Sequence, residues 1–63
     1  MKTRKLLKIL RKYGWKKIRE GRHAVYENEE GKRVPVPESH SVITKGVIKS
    51  LIRQTGIPKE EFY

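Results

Sequence analysis

Residues 15–36 read "WKKIREGRHAVYENEEGKRVPV", three short runs with β-forming residues separated by two polar, glycine-bearing breaks. The first run is residues 15–19, "WKKIR". The segment "EGR" then offers a turn at Gly21. Residues 23–27, "HAVYE", carry the β-branched and aromatic residues that suit a strand. "NEEGK" is a second turn signal, with Gly31 free to take a positive φ. Residues 33–36, "RVPV", make the third strand. Pro35 has no amide to donate to a ladder, so this strand is expected to sit at a sheet edge or to expose that position.

Helical patterns flank this block. In residues 3–13, "TRKLLKILRKY", Leu6, Leu7 and Leu10 share one face, with Ile9 beside it, and Lys5, Lys8 and Lys12 line the opposite side. Thr3 is expected to cap the start and Gly14 to supply the left-handed residue after the end. Beyond the loop 37–43, Thr44 is placed to cap a second helix over 45–55, "KGVIKSLIRQT", which Gly56 ends. Val47, Ile48, Leu51 and Ile52 form its apolar stripe. "IPKEEFY" reads as a last helical turn with Pro58 at its first position and Phe62 packing back. The order is α-β-β-β-α. The simplest architecture is an α+β domain over 1–63, a three-stranded antiparallel sheet with both helices on one face and the other face open. Trp15 and Tyr26 are expected in the core, because so short a chain has few other large groups to bury.

Composition narrows the function. A chain of 63 residues has a small core, and with no cysteine it has no disulfide to reinforce it. Two distant histidines and no thiolate argue against a structural zinc, and no cofactor motif is present. No apolar run is long enough for a membrane span, and the charged N-terminus has no signal-peptide core, so a cytoplasmic location is expected. The charge is uneven. Residues 1–22 hold ten Lys/Arg and one acid, Glu20, whereas residues 23–63 are neutral overall. A cation field so concentrated points to a polyanion, RNA or DNA, ahead of an acidic protein or a merely solvated surface.

His23 is the residue with chemistry to offer. Cutting RNA without a metal requires the ribose 2′-oxygen to lose a proton and the 5′-oxygen to gain one, and an imidazole can serve at either. Arg22 lies beside His23, with Arg19 and Lys17 on the preceding run; such cations can stabilise charge building on the phosphate. Gly21 has no side chain to obstruct the ribose-phosphate. The plainer reading makes His23 a surface residue at a turn. His40, between Ser39 and Ser41, reads as a loop residue before the second helix.

As a whole, "LLKILRKYGWKKIREGRHAVYENEEGKRVPVP" followed by "TKGVIKSLIRQTGIPKEEF" resembles the HicA family of toxin mRNA interferases, nearly end to end. The resemblance implies a double-stranded-RNA-binding-like fold and a ribonuclease that arrests translation. It also implies a HicB-type antitoxin that covers the active site, with any oligomer arising mainly through that complex. The family's catalytic histidine, in its G-x-H motif, falls on His23, and the glycine of that motif on Gly21. Arg22 stands where many members have serine, Ala24 where many have histidine or a polar residue, and Val47 where threonine is common. The expected RNA contacts are Gly21, Arg22, Arg19 and Lys17 near His23, with Lys5, Lys8 and Lys12 steering RNA in. A non-catalytic RNA-binding module of the same fold is the alternative. A domain that only docks an acidic antitoxin-like surface is a third reading.

Overall fold

A computed structural model describes all residues, 1–63. The elements are α1 (Thr3–Lys12), β1 (Lys16–Arg19), β2 (Ala24–Glu27), β3 (Arg33–Val36) and α2 (Lys45–Thr55), followed by a 3₁₀ turn, Lys59–Glu61. The strands form one antiparallel sheet in the order β1-β2-β3. Ala24 pairs with Val36 and Tyr26 with Val34; all four side chains are buried beneath the helices. Val25 opposite Pro35 and Glu27 opposite Arg33 project to the other face. Both helices therefore share one face of the sheet, as expected for the α-β-β-β-α order. Pro35 lies on an edge strand, where its missing amide costs no central ladder bond.

The core joins Leu6, Ile9 and Leu10 of α1 to Trp15, the inward strand residues, Ile48 and Leu51 of α2, and Ile57 and Phe62. Leu7, Val47 and Ile52 pack only partly against it, so the buried stripe of each helix is narrower than periodicity alone predicts. Helix α1 ends in a double bond pattern. Gly14, at φ +83°, donates to the Arg11 carbonyl at 3.0 Å, and Trp15 donates to the Leu10 carbonyl at 2.9 Å. That turn aims Trp15 into the core before β1 begins, so Trp15 is a core anchor and not a strand residue. Thr44 caps α2 as expected, its Oγ1 accepting from the Val47 amide at 3.3 Å, and Gly56 ends it at φ +74°.

Several local expectations are corrected. Thr3 is not the cap of α1. Lys2 holds that position without a side-chain capping bond, while Thr3 is buried and donates its hydroxyl to the His40 carbonyl. The reason is tertiary: Lys2 bridges Val42, and the Thr3 amide donates to the Ser41 carbonyl at 3.1 Å, so the chain enters α1 already paired. Tyr13 is the C-terminal cap of α1, just outside the helix. Pro58 precedes the last turn instead of opening it. In β1, Lys17 opposes Tyr26 while Arg19 opposes Val25, which leaves Ile18 as a bulge residue, 46% exposed.

Candidate functional site

His23 lies one residue before β2, outside the ladder, in the bend that starts at Gly21. Gly21 has φ +150°, a conformation L side chains rarely adopt; the space is not tight, since an added Cβ would meet only the His23 carbonyl at 3.8 Å. Glycine is thus needed there for backbone shape, and that shape turns the chain into His23. Ser39 steadies the bend by donating its hydroxyl to the Arg22 carbonyl at 3.3 Å.

The His23 side chain is exposed and lines a shallow cleft of about 180 Å³ between the start of β2, the end of β3 and helix α2. Pro35 and Pro37 form one wall, and Val47, Ser50 and Gln54 the other. No hydrogen bond or ion pair within the chain engages the imidazole. The polar groups facing the cleft are Ser50 and Gln54, with the Gln54 amide donating to Ser50 Oγ at 2.8 Å. Neither was singled out from sequence. Their signal was present: Val47, Ser50, Leu51 and Gln54 recur at helical spacing on one side of α2.

The expected phosphate ligands are dispersed. Arg22 adjoins His23 in the bend and is exposed. Arg19 projects on the open face of the sheet, in a hollow with Ile18, Val25 and Arg33. Lys17 points elsewhere. Its ammonium is 2.6 Å from a Glu20 oxygen and 2.7 Å from a Glu38 oxygen, and these carboxylates hold its pKa above the ordinary lysine value. Lys5 and Lys8 are exposed on α1 without ion pairs. Lys12 pairs with Glu61 at 3.1 Å and sits 5.9 Å from the centre of the Tyr13 ring. None of these six cations lines the His23 cleft.

Glu38 is the organising residue that sequence reasoning missed. One oxygen accepts from Lys17, and the other accepts from the Tyr26 hydroxyl at 2.6 Å. These two donors depress the Glu38 pKa, the lysine contributing most. Burial, reinforced by the Glu38 hydrogen bond, pushes the Tyr26 phenol up to about 12. No single residue type announces such a pair; it needs the sheet to bring β2 beside the segment after β3.

The model of the family described as HicA toxin of bacterial toxin–antitoxin matches residues 3–57 of the 63-residue chain. This chain belongs to the HicA toxin family. The match begins at the first residue of α1 and ends at Ile57, so the HicA span contains the sheet, the Gly21–His23 bend and all of α2. Membership makes the chain a toxin of a toxin–antitoxin system. A comparison with curated proteins returns no match. Within this HicA chain no three His, Cys, Asp or Glu side chains converge as a metal site would require. No helix is long and apolar enough to cross a membrane. What the bend does offer a ligand is a free imidazole and an adjacent guanidinium.

Proposed function

We propose that this HicA-family toxin is a metal-independent endoribonuclease that cuts mRNA and so arrests translation. His23 carries the proton transfer at the ribose 2′-hydroxyl or the 5′-oxygen. The 2′-oxygen attacks phosphorus, the bond to the 5′-oxygen breaks, and a proton reaches that leaving oxygen. Arg22 and Arg19 hold the phosphate as its charge grows, and Lys17, shared with two carboxylates, contributes a smaller part. Lys5, Lys8 and Lys12 raise the local concentration of RNA through their field. Gly21 keeps the approach open. A HicB-type antitoxin in the same cytoplasm is the partner that covers His23, and the basic surface that attracts RNA attracts an acidic face of that protein equally well.

The observation that carries this reading is the exposed imidazole of His23, bound by nothing in the chain, at a glycine-dependent bend of a HicA-family protein. One observation favours the runner-up, a non-catalytic RNA-binding module: apart from Arg22, no cation gathers around His23. The test is cleavage of a mixed-sequence single-stranded RNA by the purified chain in EDTA, with His23→Ala alongside. The expected result is product from the parent and at least a hundredfold less from the variant, in line with the contribution of a general acid or base, about 10²–10⁴. Equal cleavage by both would remove His23 from the mechanism, and binding without product from either would establish the binding module.

A further inference from the structure

His40 is left unused by the function above, yet it does not stand alone. It shares an open hollow of about 480 Å³ with Lys2, Arg4, Ser39 and Ser41, and no apolar residue lines that hollow. Lys2 and Arg4 take part in none of the chain's ion pairs, and the His40 imidazole makes no hydrogen bond within the chain. Glu38 also lines the hollow, but its carboxylate accepts from Tyr26 and from Lys17, an ammonium it shares with Glu20. The hollow is therefore a cationic and hydroxyl-bearing surface whose cations have no partner of their own.

The hollow is held in shape. The Thr3 hydroxyl donates to the His40 carbonyl, and the Thr3 amide donates to the Ser41 carbonyl at 3.1 Å. The Ile43 amide donates to the Met1 carbonyl at 2.7 Å, and the His40 amide to the Pro37 carbonyl at 3.3 Å. These bonds clamp the loop between β3 and α2 onto the entry to α1, so the backbone positions that carry Lys2, Arg4 and His40 are fixed relative to one another without a ligand. A backbone held in advance spares an arriving anion the cost of ordering the two segments. The hollow also adjoins the His23 bend, because Ser39 belongs to its lining and bonds the Arg22 carbonyl.

We propose that Lys2, Arg4 and His40 form a second phosphate subsite, which holds a backbone phosphodiester of RNA flanking the one presented at His23. The identity of the ligand rests on the RNA-cutting function proposed above, whereas the anion site rests on the hollow itself. Arg4 is suited to two phosphate oxygens at once, and Lys2 to a point contact. Ser41 has a hydroxyl to donate to a third oxygen. An RNA strand seated here continues past Arg22 toward His23, which gives the dispersed positive charge of the N-terminal third a path to follow.

The test separates the subsite from the chemistry. Affinity for a fluorescent ten-nucleotide single-stranded RNA is measured in the uncleaving His23→Ala background. A second protein adds Arg4→Ala and His40→Ala, and a third adds Lys49→Ala and Arg53→Ala, two exposed cations of α2 that line neither the hollow nor the His23 cleft. The expected loss is about tenfold for the Arg4/His40 pair and less than about twofold for the control pair. The salt slope should become shallower by about 0.7 for each phosphate contact removed. Equal losses in the two pairs would mean that only the general field matters, and no loss in either would mean that RNA does not reach the hollow; both overturn the subsite. Arg4→Gln and His40→Asn made singly, each giving part of the loss with an unchanged melting curve, exclude misfolding as its cause. Cleavage by the parent chain is followed in parallel. If the parent cuts nothing while the Arg4/His40 pair still weakens binding, the ribonuclease function fails and the subsite stands.

Discussion

The hydrogen bond between Tyr26 and Glu38 should be among the strongest single polar contributions to the stability of this chain. Tyr26 is only 4% exposed, and its hydroxyl donates at 2.6 Å to a carboxylate whose side chain is 17% exposed. Truncating Glu38 to alanine leaves a part-buried hydroxyl without its acceptor, a loss of about 1 kcal/mol and at most about 3. Lys17 adds less, because its side chain is more exposed and retains Glu20 after the change. Tyr26→Phe removes the donor and leaves Glu38 with Lys17, so its cost is smaller than that of Glu38→Ala. The two changes share one bond, and a double-mutant cycle should return a coupling of about 1–2 kcal/mol. Urea unfolding followed by the fluorescence of Trp15, the single tryptophan and 2% exposed, reads all four proteins with one probe. Additivity of the two single costs within about 0.5 kcal/mol would refute the bond as an energetic element. The pH dependence supplies a second check. Glu38 has a folded pKa below its unfolded value of about 4.3, so the ionised acceptor stabilises the fold above that pH. The coupling should fade as pH drops through the lowered folded pKa, and a coupling unchanged at low pH would show that the carboxylate charge is irrelevant.

Two further predictions concern the core and the alkaline limb. Leu10 is fully buried in the last turn of α1, so Leu10→Ala should cost about 2–5 kcal/mol, comparable with the whole stability expected of so small a core; a melting temperature within a few degrees of the parent would show that α1 is not held by this contact. Tyr26 holds its proton up to about 12 when folded, whereas an unfolded tyrosine releases it near pH 10. Stability should therefore fall as pH rises above about 10, and Tyr26→Phe should flatten that fall relative to the parent; identical slopes in the two proteins would contradict a buried, proton-retaining phenol.

Much of the fold was legible because its determinants are local. The period of Leu6 and Leu10, the alternation of Ala24 and Tyr26 against Val34 and Val36, and the glycines at 14, 31 and 56 each act within a few residues. A helix face, a strand face and a positive φ are properties of short stretches, so element order and the one-sided sheet followed from them. The candidate bend was legible for the same reason, as Gly21 and His23 are neighbours.

Contacts between distant segments were not readable in that way. Thr3 has the composition of a cap, yet the loop around Ser41 and His40 takes over the pairing at that helix start and draws its hydroxyl inward. Lys17 looked like a free phosphate ligand until the sheet and the following turn brought Glu38 to it. Ser50 and Gln54 join His23 because α2 packs beside the edge of β3, an approach no window of sequence contains. The sequence by itself therefore determined the elements, their order, the buried faces and the excess of positive charge. The tertiary structure alone decided which cations are already paired, which are free, and which side chains share a cleft with the histidine. Burial patterns are dictated by periodicity along the chain, whereas the partner of a charged side chain depends on which distant segment the folded core brings within hydrogen-bonding reach.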